Sequence, residues 1–162
     1  MKTAYLKGIE SEDKVIKHFF LTPSSKEDNI KRDIDAWEIR QKGKVPISIK
    51  TQHKAAETGN LSFETTLINH LDPDDTMPSW FLTGEADEYW IVVEDKVYVF
   101  DTQVLKSFVL ENSWMFKTTR LTNKKLIEEN IKAGRKYCQS SSILVSLSGL
   151  IQKGLVEKIL EL

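Results

Sequence analysis

The sequence predicts an α/β fold in which a central mixed β-sheet is flanked by helices, and three observations carry that prediction. A helical apolar pattern opens the chain at residues 9–20, three short runs of period-two alternation follow, and beyond residue 88 strand-like runs give way to helical ones. A chain of 162 residues with 40% apolar and 29% charged residues can bury one ordinary core and is short for two, so residues 1–162 are expected to form one domain.

In the first helix Ile9, Val15, Ile16, Phe19 and Phe20 fall on one face. Steps of about 100° per residue put Glu12 between Val15 and Ile16, so its carboxylate points to the core side and needs a partner there. Thr22 to Ile30 reads as a polar connection. Strands are expected near 33–40, 45–52 and 61–66, the first two joined by a tight turn at Gln41-Lys42-Gly43. In the second strand Ile47, Ile49 and Thr51 share one face, while Ser48, Lys50 and Gln52 share the other. After an acid- and proline-rich loop at 72–78, Tyr89 to Val93 and Val97 to Phe100 form a second hairpin around Glu94-Asp95-Lys96. Helices follow at about 102–111, capped by Asp101 or Thr102, and at about 122–136; a short strand at Ile143 to Val145 precedes a closing helix through Leu160.

A formal charge of −1 excludes a general electrostatic pull toward polyanions, so any such contact is local. Lysine and arginine gather at Lys42, Lys44, Lys50 and Lys54, and again between Lys117 and Lys136; on composition alone both groups read as solvated faces. The lone Cys138 excludes an internal disulfide and a multi-cysteine zinc site, and points to a reducing compartment. Acids at Glu10, Glu12 and Asp13 stand where a signal peptide would be apolar, and no apolar run approaches a membrane span, so a cytoplasmic protein is expected.

Asp35, in Arg32-Asp-Ile-Asp-Ala-Trp37, and Lys50, in Val45-Pro-Ile-Ser-Ile-Lys-Thr-Gln52, place an acid and an ammonium on consecutive strands. Phosphodiester hydrolysis needs an activated water and stabilised charge on the phosphate. Carboxylate-bound Mg²⁺ supplies much of both, and it commonly uses only one or two carboxylates. Asp35, Glu64 and Glu12 would suffice as ligands, with Lys50 orienting the water and neutralising charge. The bland alternative is an exposed cross-strand ion pair between Asp35 and Lys50. The acid on the apolar face of the first helix, and the polar set Ser48, Lys50 and Gln52, weigh against it.

With these residues in view, the chain resembles the PD-(D/E)XK nuclease superfamily, which includes restriction endonucleases and Holliday-junction resolvases. More narrowly, Asp-Ile-Asp-Ala-Trp, Ser-Ile-Lys-Thr-Gln, Gly59-Asn-Leu-Ser-Phe-Glu64 and Ser79-Trp-Phe-Leu-Thr-Gly-Glu-Ala-Asp87 look like a phage-type group within it, over roughly residues 8–100. The resemblance implies a restriction endonuclease-like core and a Mg²⁺- or Mn²⁺-dependent DNA endonuclease, of the kind acting on branched or structured DNA. It implies Asp35 as the metal-binding aspartate, with Asp33 a weaker alternative, Lys50 as the catalytic lysine, and Glu12 as the acid of the first helix. Gln52 supports the site, and the Ile49 carbonyl is a further metal ligand. Ser48 departs from the pattern, because the family usually carries Asp or Glu there. If the strands at 45–52 and 61–66 pair antiparallel, Glu64 returns a carboxylate beside Lys50 or Ser48; otherwise it forms a salt bridge with the lysine.

A bacterial-host or phage setting follows, and a homodimer suits symmetric cutting of two strands. The competing reading is a nuclease-like fold without catalysis that binds nucleic acid or protein. Ser48 and the near-neutral charge motivate it.

Overall fold

The computed structural model describes residues 4–162. Numbered along the chain, one sheet has the spatial order β1 (Thr22–Pro23), β2 (Ala36–Arg40), β3 (Gly43–Thr51), β6 (Glu88–Val93), β7 (Lys96–Asp101) and β10 (Lys158–Glu161). The second has the order β5 (Thr76–Pro78), β4 (Asn60–Asn69), β9 (Tyr137–Ser146) and β8 (Lys117–Arg120). Strands β3 and β6 run parallel and every other neighbouring pair is antiparallel, so the first sheet is mixed, as expected. The helices are α1 (Ala4–His18), α2 (Lys26–Arg32), α3 (Ala55–Thr58), α4 (Trp80–Thr83), α5 (Thr102–Glu111), α6 (Lys124–Lys132) and α7 (Leu147–Gln152).

The β2–β3 hairpin closes through Gln41-Lys42, with Arg40 opposite Gly43. Gly43 has φ +123°, which a side chain would oppose. Strand β6 is buried on both faces because each meets its own apolar layer. Tyr89, Ile91 and Val93 join Phe63, Phe81, Phe100 and Val145 between the two sheets. Trp90 and Val92 join Ile47, Ile49 and Val15 on the face covered by α1. Each such fully buried aliphatic contributes about 1.5–3 kcal/mol. Asp101 caps α5 by accepting from the Val104 amide at 2.9 Å, as the sequence predicts.

Several boundaries move for identifiable reasons. The first helix starts at Ala4 and ends at His18, because Phe20 adopts φ +53° and Leu21 N–H reaches Ile16 O at 2.9 Å in a left-handed helix stop. Phe20 therefore leaves the apolar face and is 95% exposed. The stretch expected as a polar connection holds β1 and α2; Ser25 caps α2 through the Asp28 amide at 3.1 Å. The helix expected at 122–136 is confined to Lys124–Lys132. The short strand at 143–145 is the middle of a ten-residue β9, and the closing helix is replaced by α7 and β10. Gly154, at φ +73°, follows α7, and β10 then pairs with the open edge of β7.

The expected pairing of strands 45–52 and 61–66 does not form: β3 lies between β2 and β6, while β4 lies between β5 and β9. Among the described residues, no helix is long and apolar enough to cross a membrane.

Candidate functional site

Four elements converge near the C-terminal half of β3: the middle of α1, the end of α2, the entry to β2, and α4 with the loop behind it. The Thr51 hydroxyl bonds the Ser11 hydroxyl at 2.7 Å, which fixes α1 against β3 and brings Glu12 over the strand end. Asp33 terminates α2 in a left-handed conformation, φ 54° and ψ 42°, accepted more readily by Asp than by most residues. The chain then re-enters the sheet through Asp35, whose amide bonds Ile47 O at 2.8 Å.

Lys50 Nζ lies 2.6 Å from Asp33 Oδ1 and 3.8 Å from Asp35 Oδ2. Ser48 is fully buried and donates its hydroxyl to Asp33 Oδ2 at 2.9 Å. Asp35 is itself buried; its Oδ2 accepts the Ile49 amide at 2.6 Å and its Oδ1 accepts Asn29 Nδ2 at 2.5 Å. The Trp80 ring centroid sits 5.2 Å from the Lys50 ammonium, a cation–π contact. Behind Asp33, Gly84 approaches so closely that a Cβ there would stand 3.1 Å from Asp33 Oδ2.

Electrostatics ties these groups together. Burial and the charges of Asp35 and Asp33 push the Glu12 carboxyl up to about 7, against the opposing pull of Lys50. Burial likewise raises Asp35, with Lys50 and the Ile49 amide opposing it. For Lys50 burial acts downward, but Asp33 and Asp35 outweigh it and hold the ammonium above its ordinary range. Burial lowers Lys106 despite Asp33; its ammonium bonds Gly84 O at 3.0 Å and lies 6.0 Å from the Tyr89 ring. Tyr89 Oη is buried without a hydrogen-bond partner among the described residues, and its hydroxyl is raised by burial and by Asp33.

The structure thus brings together Asp35, Lys50, Glu12 and the Ile49 backbone. Because the Ile49 N–H points to Asp35, the carbonyl of the same strand residue leaves on that side, beyond the end of β2 at Ala36.

Glu64 is not brought beside Lys50 by strand pairing. It lies opposite Ser142 of β9 and accepts a hydrogen bond from the Ser79 hydroxyl. No salt bridge joins Glu64 to Lys50 among the described residues, where the ion-pair partners of the lysine are Asp33 and Asp35; the partner of Glu64, Ser79, is the residue before Trp80, whose ring lies on Lys50. Gln52 turns away from the lysine and clamps the Ser62 backbone of β4 at both ends, at 2.8 and 2.7 Å. It supports the site by joining the two sheets.

Sequence reasoning ranked Asp33 too low and missed Asn29, Lys106 and Tyr89. Asp33 stands in the same motif as Asp35 and the resemblance made it the weaker alternative; its left-handed position at the end of α2, which sets it on Lys50, has no mark in the motif. No local signal marks the other three.

Oxygen donors from Asp35, Glu12 and the Ile49 carbonyl suit a hard divalent cation. Among the described residues the carboxylates of Glu12, Asp33 and Asp35 share Lys50 as their close counter-charge, with Lys106 interacting with Asp33 as well, and burial and mutual repulsion raise two of them. A bound cation would relieve that repulsion, so the residues fit such a group. Among the described residues, no cluster of three or more His, Cys, Asp and Glu already has the spacing of a metal site. Comparison of the chain with models of known families, with curated proteins and with solved structures returned no match.

Proposed function

We propose that the chain is a Mg²⁺- or Mn²⁺-dependent DNA endonuclease with a PD-(D/E)XK, restriction endonuclease-like core. The observation that carries this reading is the half-buried Lys50 ammonium held between Asp33 and Asp35 at the end of a β2–β3 hairpin, with Glu12 facing it from α1. The parallel β3–β6 pair and the antiparallel β2–β3 pair support the core assignment.

Asp35, Glu12 and the Ile49 carbonyl would hold the cation, which when bound polarises the phosphate and acidifies a water. Lys50, oriented by Asp33 and by the Trp80 face, donates hydrogen bonds to the phosphate oxygens as negative charge builds there. The bond from the water oxygen to phosphorus forms as the bond to the leaving oxygen breaks. The attacking water gives its proton to solvent and the leaving oxygen takes one from solvent, since a Glu12 carboxylate that holds the cation stays ionised. Asp33 brings a carboxylate against Ser48, where the family usually carries an acid, and uses it to set the lysine rather than to hold the cation: Ser48 anchors that carboxylate.

The test is conversion of supercoiled plasmid and of branched DNA with Mg²⁺ or Mn²⁺ present. Asp35→Ala and Lys50→Ala are each expected to lose about 100-fold or more in rate. A wild-type protein that binds neither ion and cuts neither DNA overturns the reading. One observation favours a non-catalytic binding module instead: both Asp33 oxygens are engaged, by Ser48 and Lys50, in a closed ion pair. That module would bind DNA with no metal-dependent cleavage.

A further inference from the structure

The proposed cleavage site does not account for the most cationic part of the molecule. Residues 114–136 carry seven Lys and Arg against two Glu, a net of +5 in a chain whose total is −1. Lys136 is paired with Asp75 at 3.1 Å. Lys117, Arg120, Lys124, Lys125 and Lys132 are all exposed and make no ion pair among the described residues. Glu128 and Glu129 stand among them on α6, each four residues after a lysine, and the segment still keeps its net positive charge, which suits an anionic occupant.

At the start of this segment a 3-10 turn, Ser113–Met115, leaves Trp114 82% exposed and Met115 54% exposed. The turn is not loose, since Phe116 directly after it packs on Phe108 with ring centroids 6.0 Å apart. An indole held in water by an anchored turn, beside a row of cations, combines the two elements that bind unpaired nucleic acid: a face for base stacking and charges that track phosphates. A membrane surface fits less well. Leu126 and Ile127 of α6 are half-buried and α6 packs on β9, which leaves Ile131, 43% exposed, as the large apolar side chain the helix still presents to water.

The surface is also connected to the cleavage site. Gln52, two residues beyond Lys50, clamps Ser62; Ser62 lies opposite Leu144, and Leu144 lies opposite Lys117. Two strand spacings of about 4.8 Å put Lys117 roughly 10 Å across the sheet from Ser62.

We propose that residues 114–136, the turn with β8 and α6, form a binding surface for single-stranded DNA. Resting on the nuclease reading for its biological use, the proposal makes the substrate a DNA with an unpaired segment that lies along this lobe. Binding itself does not depend on cleavage.

The experiment measures anisotropy of the full chain with a labelled single strand of roughly 16 nucleotides, and with a duplex of the same sequence, in EDTA. Trp114→Ala is expected to weaken single-strand binding about tenfold while changing duplex binding less than twofold. Lys124→Gln/Lys125→Gln is expected to weaken both and to lower the single-strand log–log salt slope by about 1.4. Lys96→Gln, which removes an exposed charge outside the lobe, should bind the single strand as wild type does. Variants that bind as wild type, a Trp114→Ala loss equal on duplex and single strand, or anionic vesicles bound in place of DNA, overturn the proposal. A protein that binds single strands but never cuts loses the nuclease reading and keeps this surface. One that cuts, with lobe variants indistinguishable from wild type, loses this surface alone.

Discussion

Lys50 is held by Asp33 more closely than by Asp35: its ammonium is 2.6 Å from Asp33 Oδ1 and 3.8 Å from Asp35 Oδ2. The two aspartates have divided the work. Asp35 is locked to the backbone by Ile49 and to α2 by Asn29, while Asp33 sets the lysine.

That division predicts that Asp33→Asn lowers cleavage nearly as much as Lys50→Ala while leaving divalent-cation binding largely intact; Asp35→Asn loses both. Asp33→Asn also leaves a half-buried ammonium with a weaker partner, costing about 1–3 kcal/mol of stability. Isothermal titration with Mn²⁺, cleavage rates and urea unfolding separate the three effects. Equal loss of cation binding in both variants contradicts the division.

Ser48 sharpens the same point. Its hydroxyl is buried and already bonded to Asp33, so Ser48→Ala removes one hydrogen bond and should cost about 1 kcal/mol with cleavage reduced but measurable. Ser48→Glu would set a carboxylate against Asp33 in a space that admits no water, and is expected to destabilise and inactivate rather than improve the protein. A gain of cleavage in Ser48→Glu would mean that position 48 lacks an acid which Asp33 does not supply.

Glu12 gives the site a pH dependence whose sign can be worked out. Its folded-state pKa is raised from 4.5 to about 7, so between those values the folded state holds more protons than the unfolded one. Stability from this group therefore falls as pH rises from about 4.5 to 7, and the raised Asp35 adds in the same direction from a lower starting pH. Divalent-cation affinity runs oppositely, rising as Glu12 loses its proton. Glu12→Gln is expected to flatten the melting temperature across that window, to raise it at pH 8, and to weaken Mg²⁺ stabilisation there. Thermal melts at several pH values, with and without Mg²⁺, check all three. A wild-type melting temperature that does not fall between pH 5 and 7, once Glu12→Gln is subtracted, contradicts the burial of Glu12.

Much of the sheet was readable because its strands obey local rules. The alternation of β3, the Gly43 turn and the run of six buried residues in β6 need no tertiary information to be seen. Failures occurred where distant structure decides. Lys158–Glu161, Lys-Ile-Leu-Glu, is as compatible with the end of a helix as with a strand, but the open edge of β7 makes it a strand. The Ser25 cap with Asp28 three residues on was a visible sign of α2 that the proline-containing approach obscured. In the candidate site, Asp35, Lys50 and Glu12 follow from pattern. The pairing of the strand that carries Glu64 does not, because it depends on β9, nearly eighty residues away.

Gly84 offers a test that changes no charged group. It has ordinary backbone angles, φ −61° and ψ 140°, so alanine meets no backbone strain. Its new Cβ, however, would stand 2.8 Å from Trp80 O and 3.1 Å from Asp33 Oδ2, at least one of which must shift. Trp80 O accepts from the Gly84 amide at 2.8 Å, the bond that closes α4, so the new contact with it cannot be relieved without moving backbone. The Gly84 backbone shifts, and the Asp33 carboxylate that it abuts is disturbed without the loss of any titratable group. Gly84→Ala is expected to cost about 1–3 kcal/mol through overpacking and to lower cleavage about tenfold or more, a 1 Å misplacement being enough for that. Gly8→Ala, where a Cβ meets nothing within 4 Å, serves as the control and should leave cleavage unchanged. If Gly84→Ala cuts at the wild-type rate while Asp33→Asn does not, the charge of Asp33 matters and its position within the pocket of Ser48, Lys50 and Gly84 does not.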